Sequence, residues 1–589
     1  MSLFLVFLVL FFILIVLYNE WLGTSFTFMI GVTVLGVFGI LSPKEILFGF
    51  ANEQIAVIIL LLLIGEIIRQ TGMIEIVFDR IFINAKSYRG FLSRMTILVA
   101  AFSAFLNNTP LVAVMMPYVN SWCKKKNISP SKFLMPLSFA AIMGGTITLI
   151  GTSTNLIVSG FVIDQKIIPN LPELQLFDFA YVGIPMAIIG LLYIIFLGDK
   201  ILPGTAEPTE TLISNNRDYI LEAEVRANSN LIGKNITQTQ LSQIEGLYIT
   251  EIIRKGITIQ TITPDFTIQE NDVIFFAGST NNIADLVNID NGLTIPTVGM
   301  LHKKKHTEVV EIVVSHNSSL INKSVRESNF RGKYDSAVIA IHRNGARLSG
   351  KIETFKLKAG DVLMLFTGEN FMVTSNDTKD FYFISKVKDF HKLEWYKILT
   401  LFGGTGLAIL LSALNIFPLF TGLIILILIL LAMGITNPKD LPKHIDYDLA
   451  LIIVMSLALG TAMIKTGAAL LISDFVTTLF LPLGKVGVLS GIYIITAFLA
   501  AYITNKAAVA IIFPISLTIA SELGANPMPF ILVVAFAAAA NFMTPIGYQT
   551  NIMVYGPGNY TFKDFFKVGF PLTILYMIGT VAILSLLYF

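Results

Sequence analysis

The stretch NNTPLVAVMMP, from Asn107 to Pro117, returns 397 positions later as TNKAAVAIIFP, from Thr504 to Pro514. Each copy is a polar tip set inside an apolar run. Irregular polar backbone at membrane depth is tolerated only where protein or a water-filled cavity covers it. Outward from these tips, GTSTN at 151–155 returns as GYQTN at 547–551, and DFAYVGIP at 178–185 returns as DFFKVGFP at 564–571. Three pairs in the same order define two related halves, 1–200 and 391–589.

Both halves are strongly apolar. Of 589 residues, 54% are hydrophobic and 14% are charged, whereas soluble proteins carry about 25% charged residues. Apolar stretches of roughly 17–22 residues recur, each long enough to cross about 30 Å of hydrocarbon as a helix. The first half offers spans near 2–18, 26–41, 54–69, 133–160 and 178–198. The second offers spans near 397–413, 418–433, 449–466, 528–555 and 568–588. Between the third and fourth span of each half, 92–122 and 487–522 read as re-entrant hairpins with the polar tips at their turns. Residues 151–155 and 547–551 read as the unwound centres of broken helices, the breaks favoured by Gly144, Gly145, Gly151 and Pro545.

Five crossings is an odd number, so the second half is expected to sit inverted relative to the first. With both termini outside, Arg80, Lys86, Arg89, Lys124, Lys125 and Lys126 fall inside, as do Lys439, Lys443, Lys563 and Lys567. That obeys the enrichment of Lys and Arg in cytoplasmic loops; Lys485 breaks it. The apolar segment Leu3 to Leu17 lacks a basic leader and a small-residue cleavage site, so it reads as a retained helix rather than a signal peptide. The expected fold class is a polytopic α-helical membrane protein: two inverted repeats, each of about five spans plus one re-entrant hairpin, surrounded by lipid in a bacterial inner membrane. Facing broken elements near the midplane suit a secondary transporter. Nothing resembles the carbonyl filter of a channel.

Between the halves lies a polar, strand-rich block that also repeats. Asn230-Leu-Ile-Gly-Lys234 matches Ser319-Leu-Ile-Asn-Lys323, and the run after Asp272 matches that after Asp361, both at a spacing of 89. Two small α+β domains are expected, at 210–295 and 303–388, on the cytosolic side. They resemble the C-terminal (TrkA-C-like) domain of RCK regulators of potassium transport. That resemblance implies dimerisation and a bound regulator, possible as a nucleotide of unspecified identity; a purely structural insert is the plainer alternative.

Several function classes are disfavoured. A net charge of +2 supplies no field for nucleic acid. The single cysteine, Cys123, allows neither a disulfide framework nor a thiolate cluster. No nucleophile–base pair, phosphate-cradling loop or group of metal ligands is legible, so an enzyme is not expected. Asn and Thr at the tips offer both donors and acceptors, and a helix starting after each tip adds free N–H groups. Such a pair of tips can hold an anion and a cation together.

These motifs resemble those of the divalent anion–sodium symporter (DASS) family. Asn107-Asn108-Thr109 and Thr504-Asn505-Lys506 resemble its paired Ser-Asn-Thr motifs, and 151–155 resembles its Gly-x-Pro-Pro-Asn segment. The resemblance implies a homodimer working by an elevator motion. It implies anion contacts from Asn107, Asn108, Thr109 and Thr154 on one side, and from Thr504, Asn505 and Lys506 on the other. It implies one sodium at Ser103, Asn108 and Gly151, and a second at Asn505 and Gly547. The branch with paired RCK-like inserts is described as sulfate permeases, which favours sulfate or a similar oxyanion over a dicarboxylate. Two departures bear on the second sodium: Lys506 stands in place of Thr, and Ala500 stands where the first half has Ser103. A lysine ammonium at a cation site repels sodium, so Lys506 is expected to replace it. The competing readings are a dicarboxylate carrier, a proton-coupled or exchange carrier, and a nucleotide-sensing receptor or channel component that does not transport. Elsewhere, Glu66 and Arg69 are expected to pair along one helix face, and Lys465 to reach for water. Asn541 and Gln549 read as helix glue or cavity lining. His302 and His306 read as a solvated linker.

Overall fold

The computed structural model describes all residues except 20, 52, 71–86, 127, 166, 170, 204–218, 228, 237–238, 240–246, 255–256, 260–265, 279–292, 295–307, 344–345, 349–351, 369–370, 376–377, 385–393, 415, 439–440, 442–444 and 446. His302, His306, Arg80 and the Arg69 side chain lie outside the described residues.

The first half contributes α1 (Ser2–Tyr18), α2 (Thr24–Val37), α3 (Glu53–Gln70), α4 (Tyr88–Ser103), α5 (Asn108–Lys126), α6 (Ser131–Gly145), α7 (Ser153–Asp164) and α8 (Ala180–Ile201). The second contributes α9 (Trp395–Ala413), α10 (Leu419–Ala432), α11 (Tyr447–Thr466), α12 (Ala468–Phe480), α13 (Gly484–Tyr502), α14 (Asn505–Glu522), α15 (Pro527–Ala539), α16 (Gln549–Tyr555) and α17 (Phe562–Tyr588). Among the described residues, four helical stretches are long and apolar enough to cross a membrane alone, 180–198, 395–412, 468–502 and 562–588, and a bent pair at 43–68 makes a fifth. The shortfall from ten expected spans has a physical cause. The spans read at 133–160 and 528–555 are each split into two half-helices, and α1, α2, α10 and the apolar part of α11, Ala450–Thr466, have only 14–17 residues. Residues 468–480, outside the expected spans and hairpins, are also helical. There Gly467, at φ +77, ends one helix and lets apolar α12 start at once. On α8, Ile184, Ile188, Leu192 and Phe196 form an exposed apolar stripe at helical spacing, as a face against lipid requires.

The bonds at the breaks recur at a spacing of 396 or 397. In the first, Asn155 Nδ2 donates to the carbonyls of Gly145 (3.5 Å) and Thr148 (2.8 Å). In the second, Asn551 Nδ2 donates to the carbonyls of Asn541 (3.0 Å) and Thr544 (3.1 Å). Thr148 Oγ1 donates to Ala104 O, and Thr544 Oγ1 to Ala501 O. The Asn of each motif therefore satisfies carbonyls that the unwinding leaves free. The DFxxVGxP motifs serve the same breaks. A methyl on Gly183 of α8 would lie 2.6 Å from Thr146 O, and one on Gly569 of α17 would collide with Phe542 O. Only glycine lets these long helices cross so close to the unwound backbone.

The central block forms two five-stranded antiparallel sheets from β1 (Tyr219–Val225), β2 (Leu247–Arg254), β3 (Ile257–Ile259), β4 (Val273–Gly278), β5 (Leu293–Thr294), β6 (Glu308–Val314), β7 (Ser336–Arg343), β8 (Ala346–Arg347), β9 (Val362–Thr367) and β10 (Phe381–Phe383). The orders, β3-β2-β4-β1-β5 and β8-β7-β9-β6-β10, are the same. A strand irregularity falls at 249/251 and again at 338/340. Arg254 clasps Asp272 at 2.7 Å through two nitrogens and bonds Thr267 O; Arg343 does the same with Asp361 and Lys356 O. Ile252, Ile274 and Phe276 of the first sheet share a core with Ile339, Met364 and Phe366 of the second.

Candidate functional site between the broken helices

Each half lends its broken helix to the other. Helix α6 packs on α16, and α15 packs on α7. Ser138 Oγ of α6 lies 2.8 Å from Thr550 Oγ1 and 2.7 Å from Asn551 Oδ1. At the centre, Thr152 Oγ1 and Tyr548 Oη lie 2.9 Å apart. These two residues are 396 positions apart, the repeat spacing itself, so equivalent positions touch one another. Contact between equivalent residues is what a local two-fold axis produces.

The first polar tip lies on this junction. Asn108 begins α5 and is buried, its carboxamide 2.7 Å from the Tyr548 hydroxyl. Its other face meets Ser103 Oγ. With its amino group turned inward, it also faces Ala141 O at 3.2 Å and Gly151 O at 3.3 Å. Ser103 Oγ donates to Ala141 O at 2.8 Å. A hydroxyl both donates and accepts, so Tyr548 serves either orientation of the Asn108 amide. Asn107 Oδ1 accepts from Thr109 N at 3.4 Å, and Thr109 Oγ1 donates to Gln549 Oε1 at 2.9 Å. Around Gly151 the backbone is crowded with acceptors: a methyl there would meet the carbonyls of Gly145 (2.5 Å), Ser103 (2.9 Å) and Ala104 (3.0 Å). Convergent carbonyls at an unwound helix suit a hard monovalent cation. Ser103, Asn108 and Gly151 are thus brought together.

The second tip differs. Thr504 caps α14 by accepting from Ala507 N at 3.1 Å. Asn505 is half-buried, and among the described residues its Oδ1 accepts only from the adjacent Lys506 N, 3.1 Å. Lys506 is 9% exposed, and its ammonium has no hydrogen bond or ion pair among the described residues. Helix α14 packs on α7, where Phe161 and Phe513 stack at 4.9 Å. Near the start of α7, the Thr154 hydroxyl is fully buried and has no partner among the described residues. Gly547 does not face carbonyls as Gly151 does; it faces the Asn541 side chain.

Tyr548, Thr152 and Ser138 were not singled out from sequence. Tyr548 was detectable as the aromatic that replaces Thr152 within a duplicated motif. Gln549 bridges to the first tip, and Asn541 bonds backbone. Lys465 pairs with Glu45 at 2.6 Å rather than only reaching for water, because the short helix 43–47 packs on α11 and brings the carboxylate within reach. Among the described residues there is no group of His, Cys, Asp and Glu able to hold a metal ion.

Known proteins extend over the same elements. The citrate transporter family (CitMHS) matches residues 9–494 and 483–589. A Chlamydomonas reinhardtii protein named as a sulfur deprivation response regulator is 31% identical over 583 residues, 95% of this chain and 97% of its own. An uncharacterized transporter of Synechocystis is 30% identical, covering 98% and 96%. Sodium/sulfate cotransporter 1 of Chlamydomonas reinhardtii is 23% identical, covering 96% and 87%. With a family match along both apolar halves and across the junction that joins them, the chain belongs to the citrate transporter family and is an integral membrane protein.

Proposed function

We propose that the protein is a secondary active transporter of a small divalent anion, sulfate or a similar oxyanion, driven by sodium. The observation that carries this reading is Lys506, a residue 9% exposed whose ammonium has no counter-ion among the described residues, set at one of two duplicated polar tips. A buried charge is retained only when something pairs with it. A divalent anion supplies that partner, with Asn107, Thr109, Thr504 and the unpartnered Thr154 hydroxyl as further donors. Sodium is the co-transported ion at Ser103, Asn108 and the Gly151 backbone. Relatives named sodium/sulfate cotransporters support both ions.

The same reading takes the halves as inverted repeats, supported by the contact of Thr152 with Tyr548 at the repeat spacing. It takes the chain as a homodimer moving its site as an elevator, in a bacterial inner membrane with both termini outside. The two sheets are cytosolic RCK C-terminal-like domains at 210–295 and 303–388. Their regulatory role is supported by docking: a methyl on Gly360, in the turn before β9, would lie 3.3 Å from Ile552 Cγ2 and 3.4 Å from Ile552 O, and one on Gly556, at the end of broken helix α16, would lie 2.6 Å from Gly360 O. A ligand of these domains shifts transport by binding one arrangement of that contact more tightly than another.

The test is uptake of labelled sulfate into vesicles holding the purified full chain, with and without an inward sodium gradient. The expected result is sodium-driven uptake that falls about tenfold or more in Lys506→Ala and is partly kept in Lys506→Arg. Uptake at the parent rate in Lys506→Ala would sink the assignment. A carboxylate cargo is the second reading, favoured by the citrate description of the family that matches; labelled citrate or succinate uptake without sulfate uptake would select it.

A further inference from the structure

We infer that the carboxamide of Asn541 fills the second half's cation position, so that each chain holds one sodium, at Ser103, Asn108 and Gly151. The inference rests on the sodium-coupled reading above and concerns its stoichiometry.

The argument starts from one exchange between the halves: Gly145 in the first corresponds to Asn541 in the second. A methyl on Gly145 would lie 2.6 Å from Asn108 Oδ1 and 2.8 Å from Nδ2. The missing side chain is therefore what admits the Asn108 amide to the space beside Gly151. In the second half, a side chain is present and enters that space itself. Asn541 Nδ2 donates to Ala500 O at 2.8 Å and abuts Gly547, where a methyl would collide with it. Ala500 O corresponds to Ser103 O, one of the three carbonyls that converge on Gly151.

Two consequences are visible. Asn505, the counterpart of Asn108, does not enter; it stays half-buried and, among the described residues, bonds only its neighbour's N–H. The Asn541 amide is also fixed in direction. Thr544 Oγ1 accepts from Gly547 N at 3.2 Å and lies 3.4 Å from Asn541 Oδ1. Turning the amide over would set its oxygen against Ala500 O, acceptor against acceptor. Asn108 likewise turns its amino group toward Ala141 O and Gly151 O, but a cation among those carbonyls can reverse it, because Tyr548 on its other side can donate or accept. An inward oxygen from Asn108 joins the carbonyls around a cation, whereas an inward N–H from Asn541 takes up a carbonyl the cation would need. Lys506 adds like-charge repulsion on the same side, and Ala500 removes a hydroxyl ligand.

The test is equilibrium binding of radiosodium to the purified full chain, read separately from transport. One sodium per chain is expected, with affinity lowered about tenfold or more by Ser103→Ala. The triple variant A500S/K506T/N541G gives the second half the residues of the first, and is expected to bind a second sodium. Two sodium ions per parent chain, or one unaffected by Ser103→Ala, would overturn the inference. The parent count and Ser103→Ala decide the matter should the triple variant fail to fold. One sodium bound without sulfate uptake would instead overturn the choice of anion and leave the inference standing; no sodium bound would overturn both.

Discussion

Tyr548 shows how one hydroxyl can join two halves of a transporter. It bonds Thr152 at 2.9 Å and Asn108 at 2.7 Å, both from the other half. Tyr548→Phe keeps the ring and removes the bridge, leaving Asn108 with one buried amide end unsatisfied. The expected cost is about 1–3 kcal/mol, read as a lower midpoint of thermal unfolding in detergent. A larger effect is expected on sodium-driven uptake than on melting, because Asn108 is one of the proposed cation ligands. Equal melting and equal sodium dependence in the variant and the parent would exclude this role.

Among the elements, the broken helices carry the design. Their unwound turns are kept open by Asn155 and Asn551, which sew the freed carbonyls, and by Gly183 and Gly569, which let the crossing helices approach. Asn155→Ala or Asn551→Ala removes the side-chain donor that two buried carbonyls share, and each is expected to cost about 2 kcal/mol or more in thermal unfolding. Gly569→Val sets a side chain against backbone carbonyl rather than against a yielding side chain. It is expected to cost more than the roughly 1–3 kcal/mol of ordinary overpacking, and to lower the yield of folded protein extracted from membranes. A folded, fully active Gly569→Val would contradict the close crossing.

For the whole molecule, the second sheet lies close to the second membrane half, its Gly360 approaching Gly556 at the end of α16. Its own stability has a pH signature at Asp380. Burial opposes ionisation there, but the Lys333 ammonium at 2.6 Å, the Tyr334 hydroxyl and the Ser319 N–H outweigh it and hold the carboxyl below its usual value. A carboxyl lowered on folding stabilises above its unfolded pKa of about 3.9, and that stabilisation fades as pH falls through the folded value. Unfolding of this unit is therefore expected to ease below about pH 4. Asp380→Asn is expected to be weaker at pH 7 and to show a shallower decline into acid, followed by circular dichroism on the full chain. Docking has a separate test. A methyl on Gly556 would lie 2.6 Å from Gly360 O, so Gly556→Leu is expected to part the sheet from α16. It is expected to change the rate of uptake without changing which anion competes.

The sequence by itself determined the two apolar halves, the strand-rich block between them and the residues of both polar tips. It could do so because duplication writes the same chemistry twice, and a motif repeated in order is legible without coordinates. It also placed Ser103, Asn108 and Gly151 together as one set, through a resemblance rather than through spacing. Only the tertiary structure decided that Asn155 and Asn551 sew backbone, that Tyr548 bridges the halves and that Gly360 rests on α16. It alone revealed that Asn541 occupies the space its counterpart leaves open. Each of these is a contact between residues tens to hundreds of positions apart, or a choice of which side chain fills one small volume. Neither periodicity nor motif spacing encodes which of several neighbouring polar groups wins a buried acceptor; close packing in three dimensions does.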